Sequence, residues 1–266
     1  MKNRGKLILM AGMLGANVAQ ASLISVGSGL VYDSVANVTW SSDANLLGTM
    51  ESSTPGLIAN IIAMVPVVTD TPNSVDTPAN SGHYDVTAAD FGANGTADWF
   101  GQMAFAQYLN TLNVGQGYLG HNTWILPTTY NQTCVGNNCT NSMMGELFYT
   151  GLGGTATQSI TTSHNGNFNL FTNVQSNDYW SGTEYIASPG NAWYFSTASG
   201  AQNFGTKPGY FNSWVVLSGN ASASVPEPAG LALFGIGMLG MISRRRRSAF
   251  PKIPLCFRRH CASVER

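Results

Sequence analysis

At 266 residues, with 44% hydrophobic and only 9% charged side chains, the chain is long enough to bury a core of its own. Its formal net charge of −1 hides a segregation: Lys207 is the only Lys or Arg between Ser22 and Ser243, against twelve Asp and Glu in the same span. A surface of that sign repels phosphate backbones and excludes nucleic acid as a partner.

Taken in order, Lys2, Arg4 and Lys6 form a basic start, Leu7 to Val18 an apolar run, and Ala19-Gln20-Ala21 an A-x-A site. Residues 1–21 therefore read as a secretory signal peptide removed by signal peptidase, with Ala19 and Ala21 as the small residues of the cleavage site. Residues 22–217 form the exported domain. Leu30 to Tyr32 and Val38 to Trp40 are strand-like runs around the turn residues 33–37, which predicts a β-hairpin. Residues 49–97 carry Pro55, Pro66, Pro72 and Pro78 among Ser, Thr, Asn and Asp, and read as a loop-rich insertion. Within it only Leu57 to Val68 is expected to order as a short helix or strand, with a further strand near Tyr84 to Val86.

Asp98 is placed to cap a helix running to Leu112, because Phe105, Tyr108, Leu109 and Leu112 recur at helical intervals. Trp124 to Thr128 reads as a buried strand that ends at proline. Ser142 caps a second helix, with Glu146 in its first turn and Met144, Leu147, Phe148 and Leu152 on one face. In the acidic exported stretch, Cys134 and Cys139 stand close together; in an oxidising compartment they are expected to form a disulfide, with a reactive or metal-binding pair as the alternative. The last third is aromatic and strand-like, with turns between runs, and predicts an antiparallel meander. Residues 218–225 form a small-residue linker.

The tail has three parts in fixed order: Pro226-Glu227-Pro228, an apolar run from Ala229 to Ile242, and Arg244, Arg245, Arg246 and Arg247. The prolines hold the backbone extended and open to an enzyme. The apolar run is shorter than the roughly 20 residues of a square membrane crossing, and the arginines resist translocation. Residues 226–247 resemble the PEP-CTERM sorting signal. That resemblance implies a transient inner-membrane anchor through a C-terminal sorting helix, cleavage by an exosortase-type protease, and delivery to the cell surface or extracellular polysaccharide matrix. A weak permanent anchor is the alternative. Residues 248–266 form a basic extension past the point where such signals usually finish.

A second resemblance covers most of the exported domain. The opening Tyr32-Asp33 to Trp40, the Trp124 to Thr128 motif, the Tyr179 to Tyr185 motif, and Ala192-Trp193-Tyr194 with Trp214-Val215-Val216 occur in the order of the Lcl C-terminal-like domain. It implies an α+β, C-type-lectin-like fold related to sulfatase-modifying folds: two helices around a small irregular antiparallel sheet. Ile125 and Val216 stand where that family often carries arginine.

Catalytic signatures are missing: the sequence has no Gly-x-Ser-x-Gly elbow, no His-Glu-x-x-His and no phosphate loop. No catalytic residue, metal ligand or cofactor is therefore assigned. A calcium site is an option raised by the lectin-like resemblance, and no calcium-loop signature accompanies it. The expectation is a non-catalytic module that binds glycan, as a polysaccharide, or a surface protein. Its candidate contacts are Tyr179, Trp180, Glu184, Tyr185 and Trp193, whose rings offer faces for sugar stacking. The competing reading is a secreted enzyme, an oxidase of the sulfatase-modifying type or a hydrolase.

Overall fold

The computed structural model describes residues 23–27 and 29–222. The cleavage site at Ala19 and Ala21, the sorting signal 226–247 and the extension 248–266 lie outside the described residues.

The chain opens with β1 (Leu23–Gly27), β2 (Leu30–Asp33) and β3 (Val38–Ser41). β2 and β3 form the expected hairpin. Asp33 folds its turn by accepting from the amides of Val35 and Ala36 at 3.0 and 3.1 Å, and Asn37 takes a left-handed φ of 50°, which asparagine tolerates better than most residues. β1 was not expected. It adds to the free side of β2, while the far side of β3 is taken by β9 (Val216–Ser218), giving a four-stranded antiparallel sheet in the order β1-β2-β3-β9.

The insertion is more ordered than its composition implied. α1 (Leu46–Ser53) runs into it, and it contains α2 (Leu57–Met64) and a two-stranded sheet of β4 (Val67–Thr69) and β5 (His83–Asp85). The segment joining β4 to β5 is held by side chains standing in for a ladder. Asp76 accepts from the amides of Asn73 and Gly82 at 2.9 and 2.7 Å, and the Asn73 amide group donates to Asp70, Asp76 and the Thr71 carbonyl. Polar residues that mark loops in a sequence here satisfy buried backbone groups, as burial requires.

α3 (Trp99–Gly115) starts where Asp98 accepts from the Gly101 amide at 2.8 Å. Its helical geometry ends at Leu112, with Asn113 and Val114 left-handed. Phe105, Tyr108 and Leu109 are buried as the spacing predicted. The Trp124 to Thr128 segment does not form the expected strand: only Ile125 bridges, to Val216. Asn110 replaces the missing neighbour, donating to the Trp124 carbonyl at 3.0 Å and accepting from its amide at 2.7 Å. α4 (Met143–Glu146) begins at the Ser142 cap and runs on into a π-type turn over Leu147–Gly151.

The meander is β6 (Asp178–Glu184), β7 (Asn191–Ser196) and β8 (Ala201–Thr206), antiparallel in that order. The closing segment leaves it, because β9 crosses to the first sheet. One apolar cluster joins α2, α3, Trp124 and Trp180; a second joins β2 and β3 to α4, Tyr179, Phe195 and Trp214. In the second, Trp40 and Trp214 meet edge-on at 5.5 Å, and the Trp214 indole donates to the Ser41 carbonyl at 2.8 Å. The domain is thus α+β, with more helix than the two elements expected.

Candidate functional site

Three chain segments distant in sequence meet at one end of the meander. Asp70 follows β4, Glu184 ends β6 and Lys207 follows β8. The Lys207 ammonium nitrogen lies 2.5 Å from Asp70 Oδ2 and 2.5 Å from Glu184 Oε1. The Lys207 and Asp70 side chains are closed to solvent, and Glu184 is 22% open. The first turn of α3 supplies the wall: Nζ sits 4.3 Å from the Trp99 ring centroid and 5.2 Å from that of Phe100. Backbone bonds fix the lysine, whose amide donates to the Gly190 carbonyl at 3.0 Å and whose carbonyl accepts from Trp99 at 2.9 Å. The one base of the acidic domain is therefore buried.

The two carboxyl groups are not equivalent. Glu184 is steadied from the insertion by the Thr71 hydroxyl at 2.6 Å and the Thr71 amide at 3.2 Å. Asp70 Oδ2 accepts from Lys207 and Asn73, whereas its Oδ1 is buried without a hydrogen-bond partner. Burial pushes the Asp70 carboxyl above its ordinary range, against the opposing pull of Lys207.

Over this cluster opens a groove of about 500 Å³, whose polar lining includes Thr71, Thr128, Gln132, Thr183 and Glu184. Ile186 stands at its edge, 80% exposed. Gln132 braces that edge by accepting from the Ile186 amide and the Trp193 indole, each at 3.1 Å. The lining offers hydroxyls, an amide and one carboxylate, which is the donor and acceptor mix that hydroxyl-rich ligands need.

Of the residues expected to form a stacking platform, Tyr179, Trp180 and Trp193 are fully buried, which corrects that expectation. β6 and β7 are packed on both faces, so Trp180 lies against Phe211 at 4.5 Å and the Tyr179 hydroxyl accepts from the Gln175 amide at 2.9 Å. Tyr185 is half-buried and stacks on Phe204 at 3.9 Å. Glu184 alone of the five reaches the groove. Asp70, Thr71, Gln132 and Lys207 were not anticipated as site residues; the isolation of Lys207 in an acidic chain was the available signal.

Cys134 and Cys139 form the expected disulfide, and Cys139 is buried. The Cys134 carbonyl accepts from the Gln202 side chain at 2.8 Å, tying the loop to β8. Among the described residues no group of three or more His, Cys, Asp or Glu is arranged to hold a metal ion. No helix among them is long and apolar enough to cross a membrane.

The hairpin, α3, the Trp124 segment, the meander and β9 all lie within the stretch that a known family model matches: the Lcl C-terminal domain matches residues 29–217. The chain belongs to the Lcl C-terminal domain family. β1 precedes the matched region. The PEP-CTERM protein-sorting motif matches residues 224–247, which marks an exported, cell-envelope or surface protein processed by an exosortase. No curated protein matches the chain, and no solved structure matches it.

Proposed function

We propose that the chain is a non-catalytic, lectin-like surface module, delivered to the cell surface or extracellular polysaccharide matrix, whose Lcl domain binds glycan in the groove beside Glu184. The observation that carries this reading is that groove: threonine hydroxyls and the Gln132 amide gathered around one carboxylate at the end of β6. The acidic character of the exported stretch favours neutral or amine-bearing sugars over sulfated ones, by the same repulsion that excludes nucleic acid. A surface protein presenting hydroxyl or ammonium groups is the second class of ligand that fits this lining. Against the oxidase alternative, Cys134 and Cys139 are joined to each other and stand outside the groove lining.

Export by way of signal peptidase, a transient membrane stage through the tail, and exosortase cleavage gives the route. Deleting the sorting protease of the host is expected to leave the chain at higher mass in the membrane fraction. Glycan-array binding of the exported protein, with and without calcium, tests the ligand. Binding that is lost in Ile186→Asp, a variant at an exposed edge position, supports the groove; silence across neutral and amino-sugar panels overturns the glycan reading.

A further inference from the structure

The Lys207 cluster has the composition and asymmetry of a self-condensing site. We propose that Lys207 and Asp70 join through an intramolecular isopeptide bond, with Glu184 as the proton carrier, cross-linking the insertion to the end of the meander.

Four observations carry this. A lysine closed to solvent sits at 2.5 Å from each of two carboxyl groups, so the reactants are already held at contact and the association entropy of the step is met by folding. Trp99 and Phe100 cover the amine. A wall of this kind excludes bulk water, whose presence drives amide formation backwards. The carboxyl groups differ in the way the chemistry needs: Asp70 is closed and leaves Oδ1 without a partner, while Glu184 is steadied by Thr71 and reaches the groove. The rise of the Asp70 carboxyl by burial favours its neutral acid form, the form whose hydroxyl can leave as water.

The step balances without oxidant or co-reactant. Glu184 takes one proton from the Lys207 ammonium. The free amine attacks Asp70 Cγ, and a new C–N bond forms. Glu184 passes its proton to the departing Asp70 hydroxyl and receives the second amine proton as that C–O bond breaks. The products are one amide, one water and a protonated Glu184, which returns its proton to solvent through the groove. A buried ammonium is costly to keep as an ion, and the condensation replaces it and the Asp70 carboxyl by a neutral amide. The positions joined are 137 residues apart.

Intact-mass spectrometry of the exported protein tests this. The expected mass is one water below that of the sequence with its disulfide, before and after adjustment for reduction. Because Pro208 follows Lys207, resistance to trypsin there is uninformative. A chymotrypsin-like digest is expected to yield a branched peptide joining Asp70 to Lys207. Glu184→Gln and Lys207→Arg are expected at full mass, with the branched peptide absent. A wild-type protein at full mass overturns the proposal without recourse to any variant. A branch at Glu184 instead of Asp70, or a Glu184→Gln protein still one water light, overturns the assigned roles.

Discussion

Ile125 and Val216 face each other as an isolated antiparallel pair, each amide donating to the other's carbonyl at 2.9 Å. They are also the two positions where the family resemblance leads one to expect arginine, so the departures from the pattern are neighbours in space. Their environments differ sharply: Ile125 is 42% exposed, and Val216 is fully buried. Ile125→Arg is expected to change stability by no more than about 0.5 kcal/mol, whereas Val216→Arg buries an unpaired charge and costs about 4 kcal/mol or more. Urea denaturation of the two variants beside the parent checks both.

The Cys134–Cys139 link closes a short loop, with a sequence separation of 5. The loop-entropy relation for such a ring gives about 2 kcal/mol of stabilisation. Replacing both cysteines with serine is expected to lower stability by about that amount, and reductant should then have no further effect on the unfolding midpoint. Gly136, which pairs with Gln202, should show faster amide exchange in the same variant.

Asp98 carries a pH dependence. Burial raises its carboxyl from 3.8 to about 8; the Gly101 amide opposes this and the nearby Asp90 reinforces it. With the folded value above the unfolded one, the native state holds a proton that the unfolded chain has released. Stability is therefore greatest below the unfolded value and falls as pH rises from about 4 to about 8. Asp98→Asn keeps an acceptor for the Gly101 amide and is expected to flatten much of that fall in thermal melts across the range. Some slope should persist, because Glu146 is raised by burial in the same direction.

Gly117 has φ of +82°, and a Cβ there would lie 1.8 Å from the His121 carbonyl oxygen. Gly117→Ala thus combines a strained backbone with a clash against rigid main chain. A loss of about 2 kcal/mol or more is expected in chemical denaturation. Gly115 is also left-handed but has open space around it, so Gly115→Ala should cost less.

What could be read in advance divides along chain separation. The β2–β3 hairpin, the Asp98 and Ser142 caps and the β6–β7–β8 meander depend on neighbours within a few residues, and their turn and cap residues announce them. Trp124 was misjudged because its backbone partner is the Asn110 side chain, a substitution that periodicity does not encode. The insertion reads as loop because of its four prolines among Ser, Thr, Asn and Asp, yet two of those polar side chains, Asn73 and Asp76, build its order. Aromatic richness pointed to Tyr179, Trp180 and Trp193 as contacts, but core and ligand surfaces both favour such rings, and only burial tells them apart. Lys207 meets Asp70 and Glu184 through three elements, a meeting that no local pattern foretells.

The first sheet is finished by β9, the last strand of the domain, laid beside β3. During vectorial export the opening strands emerge first and must wait, with one side of β3 unpaired, until residue 218 has arrived. An unpaired strand edge is an invitation to aggregation, and β9 is the strand that covers this one. The strand that closes the sheet therefore stands immediately ahead of the sorting motif in the chain.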